Sequence, residues 1–109
     1  IDAVIYTHCH LDHVAGFDEL RAFCWYREDA LPLYAGPQTM RTLRQMFPWA
    51  MSNPSQHYVR PSPRIITDPF AINDLSITPI PVVHASVETL GFRYMVMRVK
   101  SLGRIILLW

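Results

Sequence analysis

Lysine is nearly missing from this 109-residue chain, which holds Lys100 alone beside nine arginines. Arginine suits bidentate phosphate contacts, although a genomic codon bias gives the same imbalance. Neither sign of charge is in excess. The formal net charge is +1 at pH 7, so composition makes no electrostatic case for a nucleic-acid or membrane surface. Cysteine is scarce as well: Cys9 and Cys24 form no C-x-x-C pair, and two thiols do not make a disulfide framework. A reducing cytoplasm fits that usage. No apolar run approaches the roughly 18 residues of a membrane span, and there is no internal repeat, low-complexity tract or domain boundary. What is plentiful is apolar surface, half of all residues, which is ample for a core. The chain opens on Ile1 inside an apolar strand, without Met, and closes on the apolar Ile105 to Trp109. It therefore reads as an internal piece of a longer protein, with strand edges left open and poor solubility expected in isolation.

Chemistry is concentrated in Thr7-His8-Cys9-His10-Leu11-Asp12-His13, directly after the apolar run Ile1 to Tyr6. That run alternates little, which predicts a buried strand. In extended backbone, residues two apart point the same way and lie roughly 6.5–7 Å apart. His8 and His10 can therefore converge on one ion. If the chain then turns into a helix, Asp12 and His13 swing to a neighbouring position, where they could hold a second ion. Cys9 falls on the opposite face and is assigned to the core, and Thr7 to a hydrogen bond within the loop.

Farther along, helical spacing of Leu20, Phe23, Cys24 and Arg27 predicts a helix beginning near Phe17 or Asp18, with Asp18 and Glu19 complementing its dipole. Leu31 to Ala35 reads as a short strand, and Gly36-Pro37 opens a second helix with Met40, Leu43, Phe47 and Met51 on its core stripe. Pro48 to Pro63 reads as a surface loop carrying His57 and Tyr58. Arg64 to Thr67, Phe70 to Ile72 and Leu75 to Val83 read as an antiparallel ladder, with His84 on the loop Ala85 to Thr89 that follows. Leu90 to Val99 and Arg104 to Trp109 complete the strands.

His-x-His-x-Asp-His at the end of an apolar strand resembles the signature of the metallo-β-lactamase superfamily, complete here at His8, His10, Asp12 and His13. Gly16-Phe17-Asp18-Glu19-Leu20-Arg21 resembles an extension found in its phosphodiesterase branch, which includes the cyclic-phosphate phosphodiesterases of phosphonate metabolism. Pro79-Ile80-Pro81-Val82-Val83-His84, with Gly91-Phe92-Arg93-Tyr94, resembles that branch's third metal motif and the strand behind it. The resemblance implies an α/β fold, part of a four-layer αβ/βα sandwich, with residues 1–109 as the central part of a single domain. It implies His8, His10 and His84 around a first ion and Asp12 and His13 at a second. The second site would be completed by an Asp and a His that this chain does not contain. The implied cofactors are two divalent ions, Zn²⁺ or Mn²⁺, which activate water for hydrolysis, with Asp12 also orienting the nucleophile.

The implied substrate is a small phosphodiester, with Arg21 and His57 as weak candidates for contacting it. Nucleic acid enters only as a substrate, no membrane is involved, and a homodimer is compatible with the fold. Other branches cleave thioesters, lactones or β-lactams, but they usually carry Gly-Gly after the motif, where this chain has Ala15-Gly16. The tRNA 3′-processing nucleases favour Gly where Leu11 stands, and an oxygen-reducing di-iron member would place Glu where His10 stands. A different class is a metal-binding pseudo-enzyme without turnover. A purely structural zinc site is disfavoured because such sites prefer cysteine-rich closed tetrads.

Overall fold

The computed structural model describes residues 1–52, 58–96 and 106–108. The opening strand β1 (Ala3–Ile5) leads into the metal-motif loop, followed by α1 (Leu11–Val14), a 3₁₀ segment (Ala15–Leu20) and α2 (Arg21–Cys24). Strand β2 (Leu31–Ala35), helix α3 (Pro37–Met46), helix α4 (Pro48–Met51) and strand β3 (Pro61–Ile65) come next. Then follow β4 (Phe70–Ile72), β5 (Leu75–His84), β6 (Val87–Val96) and β7 (Ile106–Leu108).

Two sheets result. One has the order β3-β2-β1-β7, and every pairing in it is parallel. The other, β4-β5-β6, is antiparallel. Successive residues of a strand face opposite ways, and this places the parallel sheet between two cores. Val4, Leu31, Leu33 and Ala35 pack on one side with Val14, Phe17, Leu20, Cys24, Met40 and Leu43 of the helical layer. Ala3 and Ile5 pack on the other side with Ile66, Ile72 and Ile77 and the flanking Leu90 and Phe92 of the antiparallel sheet. The layers are thus helix, sheet and sheet. Burial of β1 on both faces explains why its sequence does not alternate.

The strand at Leu31 to Ala35 and the helix opened by Pro37 form as the sequence predicts. The core stripe of that helix runs on past its end: Met40 and Leu43 are buried in α3, while Phe47 packs at the break before Pro48 and Met51 beyond it. Other expectations need correction. The segment after the metal motif turns helical earlier, at Leu11, and tightens into a 3₁₀ form between Ala15 and Leu20. The tightening follows burial, because Phe17 and Leu20, three residues apart, stack on one side of a three-residue period. Of the residues at helical spacing, Leu20 and Cys24 are buried and Phe23 is 42% exposed.

The span expected to be a loop from Pro48 to Pro63 contains α4 and the start of β3. That strand begins at Pro61, earlier than Arg64, and pairs in parallel with β2 instead of joining the antiparallel ladder. Pro61 and Pro63 are tolerated because β3 is, among the described residues, the edge of its sheet and needs hydrogen bonds on one side only. β1, by contrast, is no edge, since it is flanked by β2 and β7. Exposed apolar surface lies instead on the β5–β6 hairpin, at Ile80, Val82, Val83, Met95 and Val96. No described helix is long and apolar enough to cross a membrane.

The Asn73-Asp74 turn appears as expected, with Asn73 at a φ of 51°. The following hairpin is tighter than its sequence implied. β5 runs through His84, which pairs with Val87, so only Ala85 and Ser86 make the turn, with Ala85 at a φ of 52°.

Candidate metal centre

The metal motif sits where β1 leaves the sheet. β1 is parallel to β2, so this end of the sheet also carries Ala35 and the start of α3. Past Ile5 the chain bends at Thr7 and reaches His10 in extended conformation, with φ and ψ of −62° and 147°, before α1 begins. The rings of His8 and His10 come together there, with centroids 4.8 Å apart. The β5–β6 hairpin reaches across from the second sheet and delivers His84 to them. Its foothold is a backbone hydrogen bond of 2.9 Å from the Leu90 amide to the Thr7 carbonyl.

One ligating nitrogen each from His8, His10 and His84 can be chosen so that all lie within 4.8 Å of one another. His84 Nε2 is 3.2 Å from His10 Nδ1. That matches the roughly 3.3 Å edge of a tetrahedron whose metal–nitrogen bonds are 2.0–2.1 Å. The most telling atom is His8 Nε2. It is buried and has no hydrogen-bond partner, a situation that ordinarily costs about 1–3 kcal/mol unless something satisfies it. The other ring nitrogen of His8 lies 2.9 Å from the Thr7 hydroxyl, as expected for a residue that orients an imidazole from behind. Burial, then the nearby rings of His13, His10 and His84, push the His8 imidazole below its ordinary pKa, and Asp12 opposes them. A neutral ring offers the lone pair that a divalent ion requires. The donor set thus fits a metal ion.

His13 belongs to the same cluster of rings, with its centroid 4.0 Å from that of His8. Asp12 lies beside it, with the carboxylate 3.6 Å from His13 Nε2 and 82% exposed. Both stand in the single turn of α1, where successive side chains diverge by about 100°. They flank the three-imidazole group and are not part of it. Arg21 is engaged in a surface ion pair with Asp18 at 3.6 Å, and His57 lies outside the described residues. Tyr58 precedes β3, whose first residue is in register with Leu31, so it belongs to the end of the sheet away from the imidazoles. Cys24 is buried in the helical layer, whereas Cys9 is only partly covered. A cleft of about 380 Å³ lined by Asp2, Arg27, Asp29, Tyr34 and Asn73 also lies toward that opposite end. Donor chemistry, not concavity, marks the candidate centre.

Three residues on the hairpin and at the start of α3 carried no signal in the sequence of a role near the cluster. Glu88, Gln38 and Gly36 come together through the hairpin and the start of α3, across 50 residues of chain.

A sequence profile described as "Beta-lactamase superfamily domain" matches residues 1–102, nearly the whole chain. The chain belongs to this family. Among solved structures, it is similar to a diphosphatase of the PhnP family, with 28% identity and a TM-score of 0.74 over 86% of this chain and 35% of that one. It also shares the fold of the metallo-β-lactamase fold protein YhfI from Bacillus subtilis, with 22% identity and a TM-score of 0.64 over 87% of this chain and 36% of that one. A curated relative, an octanoyltransferase of Porphyromonas gingivalis strain ATCC BAA-308 / W83, is 33% identical over 105 residues. The match covers 85% of this chain and 19% of that protein, so the chain spans about a fifth of the curated relative's length. The superfamily and branch resemblance read from the motifs agrees with the family match and with the PhnP-family structure.

Proposed function

We propose that this chain is the central part of one metallo-β-lactamase-like domain in a metal-dependent hydrolase that cleaves small phosphodiesters. His8, His10 and His84 would hold a first Zn²⁺ or Mn²⁺ ion. Asp12 and His13 would supply part of a second site, to be completed by residues outside this chain. The observation that carries the reading is the convergence of three imidazoles around the unpartnered, buried Nε2 of His8. The PhnP-family diphosphatase likeness supports phosphorus as the centre attacked.

A divalent ion held here would lower the pKa of water toward neutrality and draw charge from a phosphoryl oxygen. The protein's own contribution is positional. Thr7 steadies His8, burial lowers that ring's pKa, and α1 holds Asp12 and His13 beside each other next to the three-imidazole group. Asp12, with its carboxylate open to solvent, would accept a hydrogen bond from the attacking water and orient it. The substrate is a small molecule in this reading, nucleic acid enters only as a substrate, and the protein works in the cytoplasm, where a homodimer is compatible with the site.

The octanoyltransferase likeness favours a second reading, hydrolysis of a thioester on the same fold. One experiment separates the two: initial rates on a 2′,3′-cyclic nucleotide and on an octanoyl thioester. The complete parent protein, which supplies the remaining ligands of the second site, is stripped of metal, refilled with Zn²⁺ or Mn²⁺, and compared with its His10→Ala variant. Metal-dependent phosphodiester cleavage that the substitution abolishes supports the first reading. Thioester cleavage alone supports the second, and no turnover despite bound metal points to a pseudo-enzyme.

A further inference from the structure

We propose that Glu88 is a positioning residue for His84, acting through a reciprocal pair of hydrogen bonds with Gln38. The inference rests on the metal-centre reading above and extends it to residues that touch no ion. The backbone amide of Gln38 donates to Glu88 Oε1 at 3.1 Å, and the backbone amide of Glu88 donates to Gln38 Oε1 at 2.6 Å. Gln38 stands in the first turn of α3, which has no acidic residue of its own and no side-chain cap. Glu88 therefore supplies from the second sheet the carboxylate that the amides of this helix start would otherwise lack.

The clasp matters because of what it holds. Glu88 pairs with Val83 across the hairpin, and the next pair toward the tip is Val87 with His84. Packing does little to fix this end: Val82 is 47% exposed and Val83 97% exposed. Along β6, Phe92 and Leu90 pack into the core between the sheets, and Glu88 continues their row on the same face. The row ends on the clasp. Together with the hydrogen bond from Leu90 to Thr7, it fixes the hairpin at two places, one on α3 and one on the metal loop.

Gly36 completes the device. A Cβ at this position would lie 2.3 Å from Glu88 Oε1 and 3.3 Å from the Leu90 side chain. The glycine is what lets the carboxylate reach the helix start. A ligand imidazole must be held to a few tenths of an ångström, so loosening its support is read as lost metal affinity.

The test is Zn²⁺ affinity of the full chain, measured by competition with a chromophoric chelator, alongside the visible spectrum of the Co²⁺-loaded protein. Glu88→Ala should weaken Zn²⁺ binding about tenfold or more and alter the Co²⁺ bands, with unchanged far-ultraviolet circular dichroism. Glu88→Gln, which keeps an Oε1 acceptor, should restore affinity to within about threefold. If Glu88→Ala does not fold, Gln38→Ala carries the test, because it removes one half of the clasp and should weaken Zn²⁺ binding as well. Affinity within about twofold of the unsubstituted chain in the folded alanine variant overturns the proposal, as does equal loss in Glu88→Gln. Absence of Zn²⁺ binding by the unsubstituted chain overturns the metal centre itself, a result separable from failure of the clasp alone.

Discussion

His84 Nε2 lies 3.2 Å from His10 Nδ1 although 74 residues separate them in sequence. Nothing local holds them together. One stands on the loop after β1 and the other at the tip of a hairpin from a different sheet, so their meeting is a product of the fold as a whole. An ion bound between them ties the two sheets together, and folding and metal binding become linked.

Saturating Zn²⁺ is expected to raise the thermal midpoint. A ligand at 100 times its Kd stabilises the native state by about 2.7 kcal/mol. In a domain of this size that corresponds to about 10 °C or more. His8→Ala should abolish the shift, and excess chelator should reverse it, both read by differential scanning calorimetry.

Ala85→Gly is expected to stabilise the chain. Ala85 occupies the left-handed region at a φ of 52°, where a Cβ crowds the backbone and glycine does not. The gain should be about 0.5–1 kcal/mol, measured by chemical denaturation of the metal-free protein. No gain, or a loss, would show that the turn bears no strain.

Alkaline pH should unfold this chain through Tyr6. Burial raises the Tyr6 phenol far above its ordinary value of 10, so in the folded state it stays neutral where the unfolded chain has already ionised. The unfolded state then holds fewer protons than the native state, and stability falls as pH rises above 10. Tyr6 contributes no such loss below that pH. In Tyr6→Phe the decline between pH 10 and 12 should be shallower, as followed by urea midpoints. Identical slopes in the two proteins would count against the assignment.

Self-association of the isolated chain is expected to run through the β5–β6 hairpin. Met95 is 61% exposed and Val96 58% exposed on β6, which is an edge strand among the described residues. Exposed apolar edges recruit further strands, and a lysine on the edge opposes this. Met95→Lys should increase the monomer fraction in light scattering after size exclusion while leaving Zn²⁺ affinity intact.

Local patterns were legible in the sequence and distant tolerances were not. His8, His10 and the apolar run before them announce a ligand loop on a buried strand because two-residue periodicity is a property of the backbone itself. Pro37 opening α3 and Asn73 in its turn are equally local. The early start of β3 was hidden because Pro61 and Pro63 argue against a strand unless it is known to be an edge, and only the assembled sheet says so. The tightening at Phe17 and Leu20 was hidden because burial, not propensity, selects the 3₁₀ form there. Glu88 and Gln38 look like ordinary surface residues until the hairpin folds over α3.

The pairing of β1 with β7 sets a timetable for synthesis. Ala3 is in register with Ile106, so the edge of β1 that faces β7 waits for its partner while the roughly 100 intervening residues emerge. At about 5–20 residues per second, that interval is on the order of 5–20 s. Throughout it, a strand destined to be buried on both faces presents free amides and carbonyls to its surroundings. The ligand loop therefore hangs from a strand whose β7-facing edge closes after His84 has been made, and a growing chain needs chaperone protection of that edge while its three imidazoles are already in place.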